Sequence, residues 1–488
     1  MVINIKEKLV NLFENWSREK AIIFFALPPS GSSRKYFRIQ SKNKTALGVF
    51  YPHRKENLAF LGFTKHFLEK KLRVPKIYLE DSDKSFYLIQ DLGDETVFSF
   101  LNKQRKNGEF PPVVKNIYKK ILKDLIIFQT IGGRGLNYKL CSPRDKFDHQ
   151  SMLWDLNYFK YYFLKLAKIN FDEQKLEKGF QKFIDFLLQA DCSFFLYRDF
   201  QSRNIMLYKN KPYFIDYQGG RQGALQYDLA SLIFDAKADL PIPVRNDLIK
   251  YYFKNLTQSS SSTGKQSIEK KVDEKSFLRY FYGYALIRIL QAMGSYGFRG
   301  FYERKEHFLQ SIPYALKNLE YVINQADLPK STNYLIAILK KVIESPALKT
   351  FETIKNDTLI VRINSFSYKS GLPLDGSGNG GGFIFDCRLL TNPGKIEKYK
   401  NLNGNDQSVI DFFKKKKEAD EFMKNVFSLV NQAVKKYKKR NFNDLMINFG
   451  CTGGQHRSIF CANKLVEYLK TKGIKTIVRH LEQEKKLL

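Results

Sequence analysis

Asp199 and Asn204 stand five residues apart in the run Tyr197-Arg198-Asp199-Phe200-Gln201-Ser202-Arg203-Asn204, and Asp216 follows Asn204 by twelve. Phe194–Leu207, the turn Lys209-Asn210-Lys211-Pro212 and Tyr213–Asp216 read together as a loop and a β-hairpin. A hairpin of that length returns Asp216 to the loop that carries Asp199. Phosphoryl transfer asks for this set: a carboxylate to orient a hydroxyl and accept its proton, and oxygen ligands that hold Mg²⁺ against the phosphates of ATP. Asp199 is the candidate base, and Asn204 with Asp216 are the candidate metal ligands. Each residue alone is an ordinary turn or cap residue. Their joint spacing is what constrains the fold.

The surrounding elements suit that reading. Strand-like runs occur at Tyr36–Ile39, Thr45–Tyr51 and Phe86–Gln90, with a helical stretch at Lys55–Lys70 that ends ahead of Val74-Pro75. Mostly helical sequence follows from Pro112 to Leu188 and again to Asn324, interrupted by the Ser-rich stretch Thr257–Lys265, which reads as a surface loop. Leu328–Asn356 holds one helix and a polar stretch and reads as a connector. A fresh α/β pattern begins at Thr358, with strands at Leu359–Ile363, Phe383–Arg388, Leu445–Phe449 and Thr476–Arg479 and helices at Ser408–Lys438 and Gln455–Lys472. The expected fold is an α+β bilobal protein-kinase-like domain at 1–326, a linker at 327–357, and a smaller α/β domain at 358–488.

The Tyr197–Asn204 run resembles the Brenner-type motif of aminoglycoside and choline kinases, with Asp216-Tyr217-Gln218 where protein kinases carry Asp-Phe-Gly. Tyr227-Asp228-Leu229-Ala230-Ser231-Leu232 is similar to the helix start that follows in that family, Asp228 then being structural. Ser30–Arg38 and Leu290–Gly294 further resemble the anomeric sugar kinases of cell-wall recycling (AmgK-type), which phosphorylate N-acetylmuramate and N-acetylglucosamine. The resemblance spans about residues 15–325. It implies an ATP-dependent sugar kinase using Mg²⁺, with nucleotide contacts from Ser30, Gly31, Ser32, Arg34 and, at the hinge, Gln90 and Leu92. Two positions depart from the pattern. Tyr197 replaces the usual catalytic-loop histidine, and Thr45–Tyr51 lacks the lysine that holds the α/β-phosphates; Arg34, Lys35, Arg38 and Arg54 are the candidate substitutes. Glu56 is the candidate acid of the small-lobe helix, and Asp155 faces either substrate or solvent.

The second strong pattern is Gly450-Cys451-Thr452-Gly453-Gly454-Gln455-His456-Arg457-Ser458, between a strand and a helix. Glycines let backbone N–H groups converge on an anion, the helix start adds its dipole, and an arginine can grip oxygens bidentately. Cys451 and Arg457 also have the spacing of cysteine phosphatases, where a thiolate attacks phosphorus; that reading competes with pure binding. The whole segment 358–485 resembles the C-terminal domain of the RNase adapter RapZ, through this run and through Ser365–Pro373, Phe385-Asp386-Cys387-Arg388, Asn392-Pro393 and Arg479-His480. That resemblance implies recognition of a glucosamine 6-phosphate-like effector by Cys451, Thr452, Gly453, Gly454, Gln455, His456, Arg457, Ser458, Asp386 and Arg388. Gln455 stands where that family commonly has lysine. Gly376–Gly381 matches G-x-G-x-x-G but precedes a strand, so it reads as a loop and not a dinucleotide site.

With 82 Lys and Arg against 49 Asp and Glu the formal net charge is +33. Two readings stay open. RNA or another polyanion could be a partner, or the lysine is compositional, being spread along the whole chain. No apolar run is long enough for a membrane helix, and Met1–Lys6 reads as the start of an amphipathic helix, not a signal peptide. Five cysteines without a C-x-x-C pair fit a reducing, cytoplasmic setting. Three functions follow as expectations: a sugar kinase with a fused amino-sugar-phosphate sensor, an RNA or protein adapter with a degenerate kinase domain, and a kinase joined to a cysteine phosphatase.

Overall fold

The structure, a computed structural model, describes residues 4–28, 34–105, 110–262, 273–349, 351, 358–373, 375 and 381–484. The chain divides into two compact units, residues 1–298 with 314–345, and residues 299–313 with 346–488. Ser30, Gly31 and Ser32, expected at the nucleotide, and 376–380 of the glycine-rich loop lie outside the described residues.

In the first unit, α1 (Ile5–Ser17) is capped by the Asn4 side chain, which accepts from Glu7 N. It lays Leu9 and Phe13 on Ile39, Ala46, Phe86 and Leu88 of an antiparallel sheet. The strands are β1 (Ile23–Ala26), β2 (Lys35–Gln40), β3 (Thr45–Phe50), β4 (Ile77–Glu80) and β5 (Phe86–Gln90), in the order β1-β2-β3-β5-β4. Helix α2 (Arg54–Glu69) joins β3 to β4 and is the helix expected from the sequence. β1 was not foreseen. Its four residues are apolar, but Ile23 and Phe25 stay half exposed on the sheet edge, so the run carries no alternation.

The remainder of this unit is helical: α3 (Val97–Gln104), α4 (Pro112–Ile127), α5 (His149–Phe159), α6 (Glu173–Leu187), α7 (Leu225–Ile233), α8 (Ile242–Ser262), α9 (Glu274–Tyr296), α10 (Ile312–Gln325) and α11 (Asn333–Glu344). Two antiparallel pairs are set among them, β6 (Phe194–Leu196) with β9 (Arg221–Gly223), and β7 (Ile205–Tyr208) with β8 (Lys211–Phe214). A sheet lobe followed by a helical lobe is the protein-kinase-like arrangement expected.

Two expectations are corrected here. The surface loop expected at Thr257–Lys265 is helix as far as Ser262, with the Thr257 hydroxyl donating back to Phe253 O and Lys254 O, and 263–265 lie outside the described residues. The expected linker contributes α11 to the first unit, where Leu335 packs on Gly179 of α6. Leu335, Ile338, Leu339 and Val342 form the buried stripe of α11, at the i, i+3, i+4, i+7 spacing of a core-facing helix.

The second unit is built on four parallel strands: β10 (Ile360–Ser367), β11 (Phe383–Asp386), β12 (Asp444–Cys451) and β13 (Lys475–His480), in the order β11-β12-β10-β13. Val361, Ile363, Ile447 and Phe449 share one core with Val426, Val430, Ala462 and Leu465 from the covering helices α13 (Lys417–Lys439) and α14 (Arg457–Thr471). The helix expected over Ser408–Lys438 is broken, with α12 at Gln407–Lys414 ahead of α13. The break falls inside four consecutive lysines, whose mutual repulsion disfavours a continuous helix.

Candidate active site and candidate anion loop

Tyr197 and Arg198 begin the loop after β6, and both backbone N–H groups donate to the carboxylate of Asp228, at 2.7 and 3.0 Å. Asp228 lies in the first turn of α7 and is fully buried. Burial pushes its pKa up to about 7, against the pull of those two N–H donors. Tyr197, standing where a histidine was expected, is itself buried and donates its hydroxyl to Ile215 O at 2.6 Å. It ties the loop to the strand that delivers Asp216. The side chain braces, so the ring's identity can change while the bond remains.

Asn204 then joins the two acids. Its Nδ2 donates to Asp199 O at 3.0 Å and to Asp216 Oδ2 at 3.1 Å, and Gln218 Nε2 donates to the other Asp216 oxygen at 2.7 Å. The β7–β8 hairpin between them has the register Ile205↔Phe214 to Tyr208↔Lys211, so Asp199, Asn204 and Asp216 come together as their spacing predicted. Arg198 and Asp216 both have positive φ, +84° and +68°, which non-glycine residues hold only when their surroundings compel it. Asp216 is exposed as a residue although protein groups crowd round its carboxylate. Its low-dielectric surroundings and then the Asp199 carboxylate push its pKa up.

Among the candidate cations, Arg38 is committed to a pair of acids, Asp91 at 2.6 Å and Asp94 at 2.9 Å. Arg34 lies elsewhere. Its side chain is 3% exposed, stacked over the Tyr51 ring at 4.7 Å, with Nη2 3.7 Å from Glu56 on α2. Burial lowers its proton affinity, but Tyr87, Tyr36 and Asp216 close by outweigh that and raise it. Gln90 closes β5 with its N–H given to Lys76 O, and Leu92 beyond it is buried.

Asp155 is buried, against the reading that it faces solvent. It forms a two-bond ion pair with Arg198, at 2.6 and 2.8 Å, under the Phe147 and Tyr227 rings. A cavity beside the loop, lined by Gln201, Ser231, Asp235, Arg288, Tyr296 and Asn318, was missed altogether. Its residues come from four distant segments, and no local spacing announces it.

In the second unit the parallel register sets Ser367 beside Cys451 and Asp386 beside Gly450, at the carboxyl edge of the sheet. This is where open α/β sheets place ligands. Thr452 and Gly453 are exposed on the loop, and Gln455 is partly so. Gly454 has φ +67°, and a Cβ there would press on Ser367 N at 2.9 Å. Arg457 opens α14 and is nearly buried. Its Nη1 donates to Arg388 O and Leu390 O, at 3.0 and 3.2 Å, while its Nε is buried without a partner.

Three residues expected to line this site turn inward. Cys451 Sγ lies 3.2 Å from Ser458 Oγ in the interior, and His456 Nε2 meets Tyr399 O at 2.9 Å. They shape the loop from behind, because β12 and α14 are both core elements on that side. Arg388 is exposed, pairs with Asp386 at 2.6 Å and stacks on Tyr368 at 4.1 Å.

The model of the phosphotransferase enzyme family matches residues 26–260, and that of the RapZ C-terminal domain matches residues 359–484. The chain joins a phosphotransferase-family domain to a RapZ C-terminal domain. The chain is 40% identical over 125 residues to a nucleotide-binding protein of Thermotoga neapolitana, covering 26% of this chain and 43% of that one. A nucleotide-binding protein of Bacillus velezensis is 37% identical over 136 residues, 28% of this chain and 44% of that one. The chain thus spans less than half the length of these curated relatives. Solved structures similar to the phosphotransferase part include choline kinase LicA from Streptococcus pneumoniae (14% identity, TM-score 0.40, 66% of this chain and 96% of that one). Another is aminoglycoside phosphotransferase APH(4)-Ia with ADP and hygromycin B (8%, TM-score 0.42, 65% and 98%). No helix among the described residues is long and apolar enough to cross a membrane.

Proposed function

We propose that the phosphotransferase-family domain transfers the γ-phosphoryl group of ATP to a sugar hydroxyl, and that the RapZ-type domain binds an amino-sugar phosphate that regulates it. The observation that carries the first part is the Asp199–Asn204–Asp216 cluster, braced from below by the buried Asp228. Asp199 accepts the proton of the attacking hydroxyl. The hydroxyl oxygen bonds to the γ-phosphorus as the bond to the bridging oxygen breaks, and ADP leaves with that electron pair. Asp216 and Asn204 offer hard oxygen donors, and the crowding of Asp199 with Asp216 is relieved by a divalent cation, so the residues fit Mg²⁺. When bound, the ion would neutralise phosphate charge. Arg34, held by Glu56 and facing Asp216, supplies the phosphate-binding cation that β3 lacks.

For the second domain, the support is an exposed Thr452-Gly453 loop ahead of α14 together with the unpartnered, buried Nε of Arg457. A helix start and a buried N–H without an acceptor both suit a phosphate oxygen. The inward Cys451 speaks against nucleophilic use. RNA binding, which the net charge of +33 suits, belongs to the competing adapter reading.

ATP consumption with N-acetylmuramate, N-acetylglucosamine and glucosamine tests the kinase. Turnover with at least one of them, abolished in Asp199→Ala, is the expected outcome; none from folded protein overturns it in favour of an adapter.

A further inference from the structure

Asp216 holds its left-handed backbone between two tyrosine hydroxyls. On one side Tyr197 donates to Ile215 O at 2.6 Å. On the other, the Tyr217 hydroxyl meets Thr64 Oγ1 of α2 at 2.5 Å. The direction of this second bond is fixed. Thr64 gives its own hydroxyl proton to Phe60 O, one turn back along α2, at 2.6 Å, so Tyr217 is the donor.

Packing alone does not call for that hydroxyl. The Tyr217 ring is fully buried, stacked on Phe60 at 5.4 Å and edge-on to Phe67 and Tyr197 at 5.3 and 6.0 Å. A phenylalanine would fill the same aromatic box without the cost of burying a polar group. The bond to Thr64 offsets that cost and, being directional, fixes how the ring sits against α2. The residues on both sides of Asp216 are thereby pinned, which is what compels its positive φ.

Helix α2 does a second thing with the same face. Glu56, Phe60, Thr64 and Phe67 follow one another at i, i+4, i+8 and i+11, a single stripe along the helix. Its first end meets the candidate phosphate cation: Glu56 lies 3.7 Å from Arg34, and the Arg34 guanidinium stands over the Phe60 ring at 5.9 Å. Its other end holds Tyr217. Asn57, between them in sequence, ties the helix to the sheet lobe by donating to Tyr51 O and Lys84 O, at 2.7 and 2.8 Å. One helix therefore places both the cation facing Asp216 and the residue that follows Asp216.

Resting on the kinase reading, we propose that Tyr217 and Thr64 are positioning residues: their hydroxyl bond registers the Asp216 carboxylate against Arg34, so that a divalent cation on the one and a phosphate on the other meet in a single geometry. Without the bond Asp216 keeps its chemistry and loses its register, and metal binding weakens before the fold does.

The test reads metal binding apart from turnover. Mn²⁺ binding to the full chain in the presence of ADP is followed by the paramagnetic resonance of the free ion, and ATP turnover is titrated with Mg²⁺ at saturating ATP and sugar. Tyr217→Phe should weaken both metal constants about three- to tenfold, the range for one buried hydrogen bond, and change kcat at saturating Mg²⁺ less than about twofold. Thr64→Val should do at least as much, because it also leaves the Tyr217 hydroxyl buried without an acceptor, while Thr64→Ser keeps both bonds and should restore the wild-type constants. Combining Tyr217→Phe with Thr64→Val should cost no more than Thr64→Val alone, as for two residues acting through one bond. Ile338→Val in the buried stripe of α11 should lower the melting temperature and leave the metal constants unchanged.

If wild type turns over and Tyr217→Phe keeps its metal constants within about twofold, or if Ile338→Val weakens them equally, the positioning role is overturned and the kinase reading stands. Weaker Mn²⁺ binding in Tyr217→Phe, in a protein that phosphorylates no sugar, would uphold the positioning role and overturn the kinase reading. A wild type that binds no Mn²⁺ with ADP would overturn both.

Discussion

The loop after β6 and the loop after β12 are both short turns at the end of a strand, and they are charged in opposite senses. The first gathers three acids, Asp199, Asp216 and Asp228, and joins them through neutral donors from Asn204, Gln218 and the backbone. The second exposes Thr452 and Gly453, with Arg457 behind them and Arg388 beside them. A phosphate can be approached in either way. An acid cluster requires a cation between itself and the phosphate and leaves a carboxylate over to take a proton, which suits a reaction. A donor loop meets the phosphate directly and has no group left to move a proton, which suits binding. The two loops therefore predict different responses to mutation.

The largest effect belongs to the acid loop. Asp199→Ala should lower kcat by about 10²–10⁴-fold, the range for losing a general base, with thermal stability unchanged because Asp199 is half exposed and braces nothing. Steady-state kinetics beside a melting curve checks both halves. A strong fall in stability would make Asp199 structural and erase the contrast with Asp228.

Next comes the cation. Arg34→Ala should raise KM for ATP by about ten- to a hundredfold, and Glu56→Gln by less, since Glu56 acts through Arg34 at 3.7 Å. Arg38→Ala should instead destabilise the fold, because it leaves Asp91 and Asp94 facing each other. If Arg38→Ala alone raised KM for ATP in a stably folded protein, the assignment of Arg34 would be wrong.

A smaller effect separates brace from reactant. Asp228 uses one oxygen for Tyr197 N and the other for Arg198 N, so Asp228→Asn turns an amide donor toward one of those N–H groups. The expected cost is about 1–3 kcal/mol of stability. The pH dependence has a definite sign. A carboxyl raised to about 7 in the folded state, above its unfolded value near 4, binds its proton more tightly when folded. Its contribution to stability is thus greatest at acid pH and declines as pH rises from about 4 to 7. Denaturation midpoints across that window should fall with pH in wild type and fall less in Asp228→Asn.

Local spacing carried most of the acid loop. Asp199, Asn204 and Asp216 are within one hairpin, so sequence distance converts into spatial distance. The same holds for Gly450–Ser458, which is one strand–loop–helix unit. What stayed hidden depends on distant segments. The Asp155–Arg198 pair joins residues 43 apart, and the Arg288 cavity draws on α7, α9 and α10 as well as the catalytic loop. Direction was hidden too. A strand residue's facing depends on the register of its neighbours, so Cys451 could be read as lining a site when the sheet turns it inward. β1 was missed because both faces of an edge strand can be apolar, which removes the alternation.

The smallest effect tests the donor loop, where adjacent glycines should behave differently. Gly454 has φ +67°, and a side chain there would meet Ser367 N at 2.9 Å and Phe366 C at 3.0 Å, backbone atoms of β10 that cannot yield. Gly454→Ala should therefore destabilise the RapZ-type domain by more than about 1 kcal/mol. At Gly453 a Cβ meets nothing within 4 Å. Gly453→Ala should leave the melting temperature almost unaltered, yet its methyl group stands on the exposed surface where a phosphate would approach the backbone. Titration with glucosamine 6-phosphate should then show binding weakened severalfold in Gly453→Ala, with ATP turnover at saturating sugar unaffected. Unchanged affinity in a stable Gly453→Ala would move the phosphate off this loop, toward the exposed Arg388 on the neighbouring turn, and the two loops would no longer be opposed solutions to one ligand.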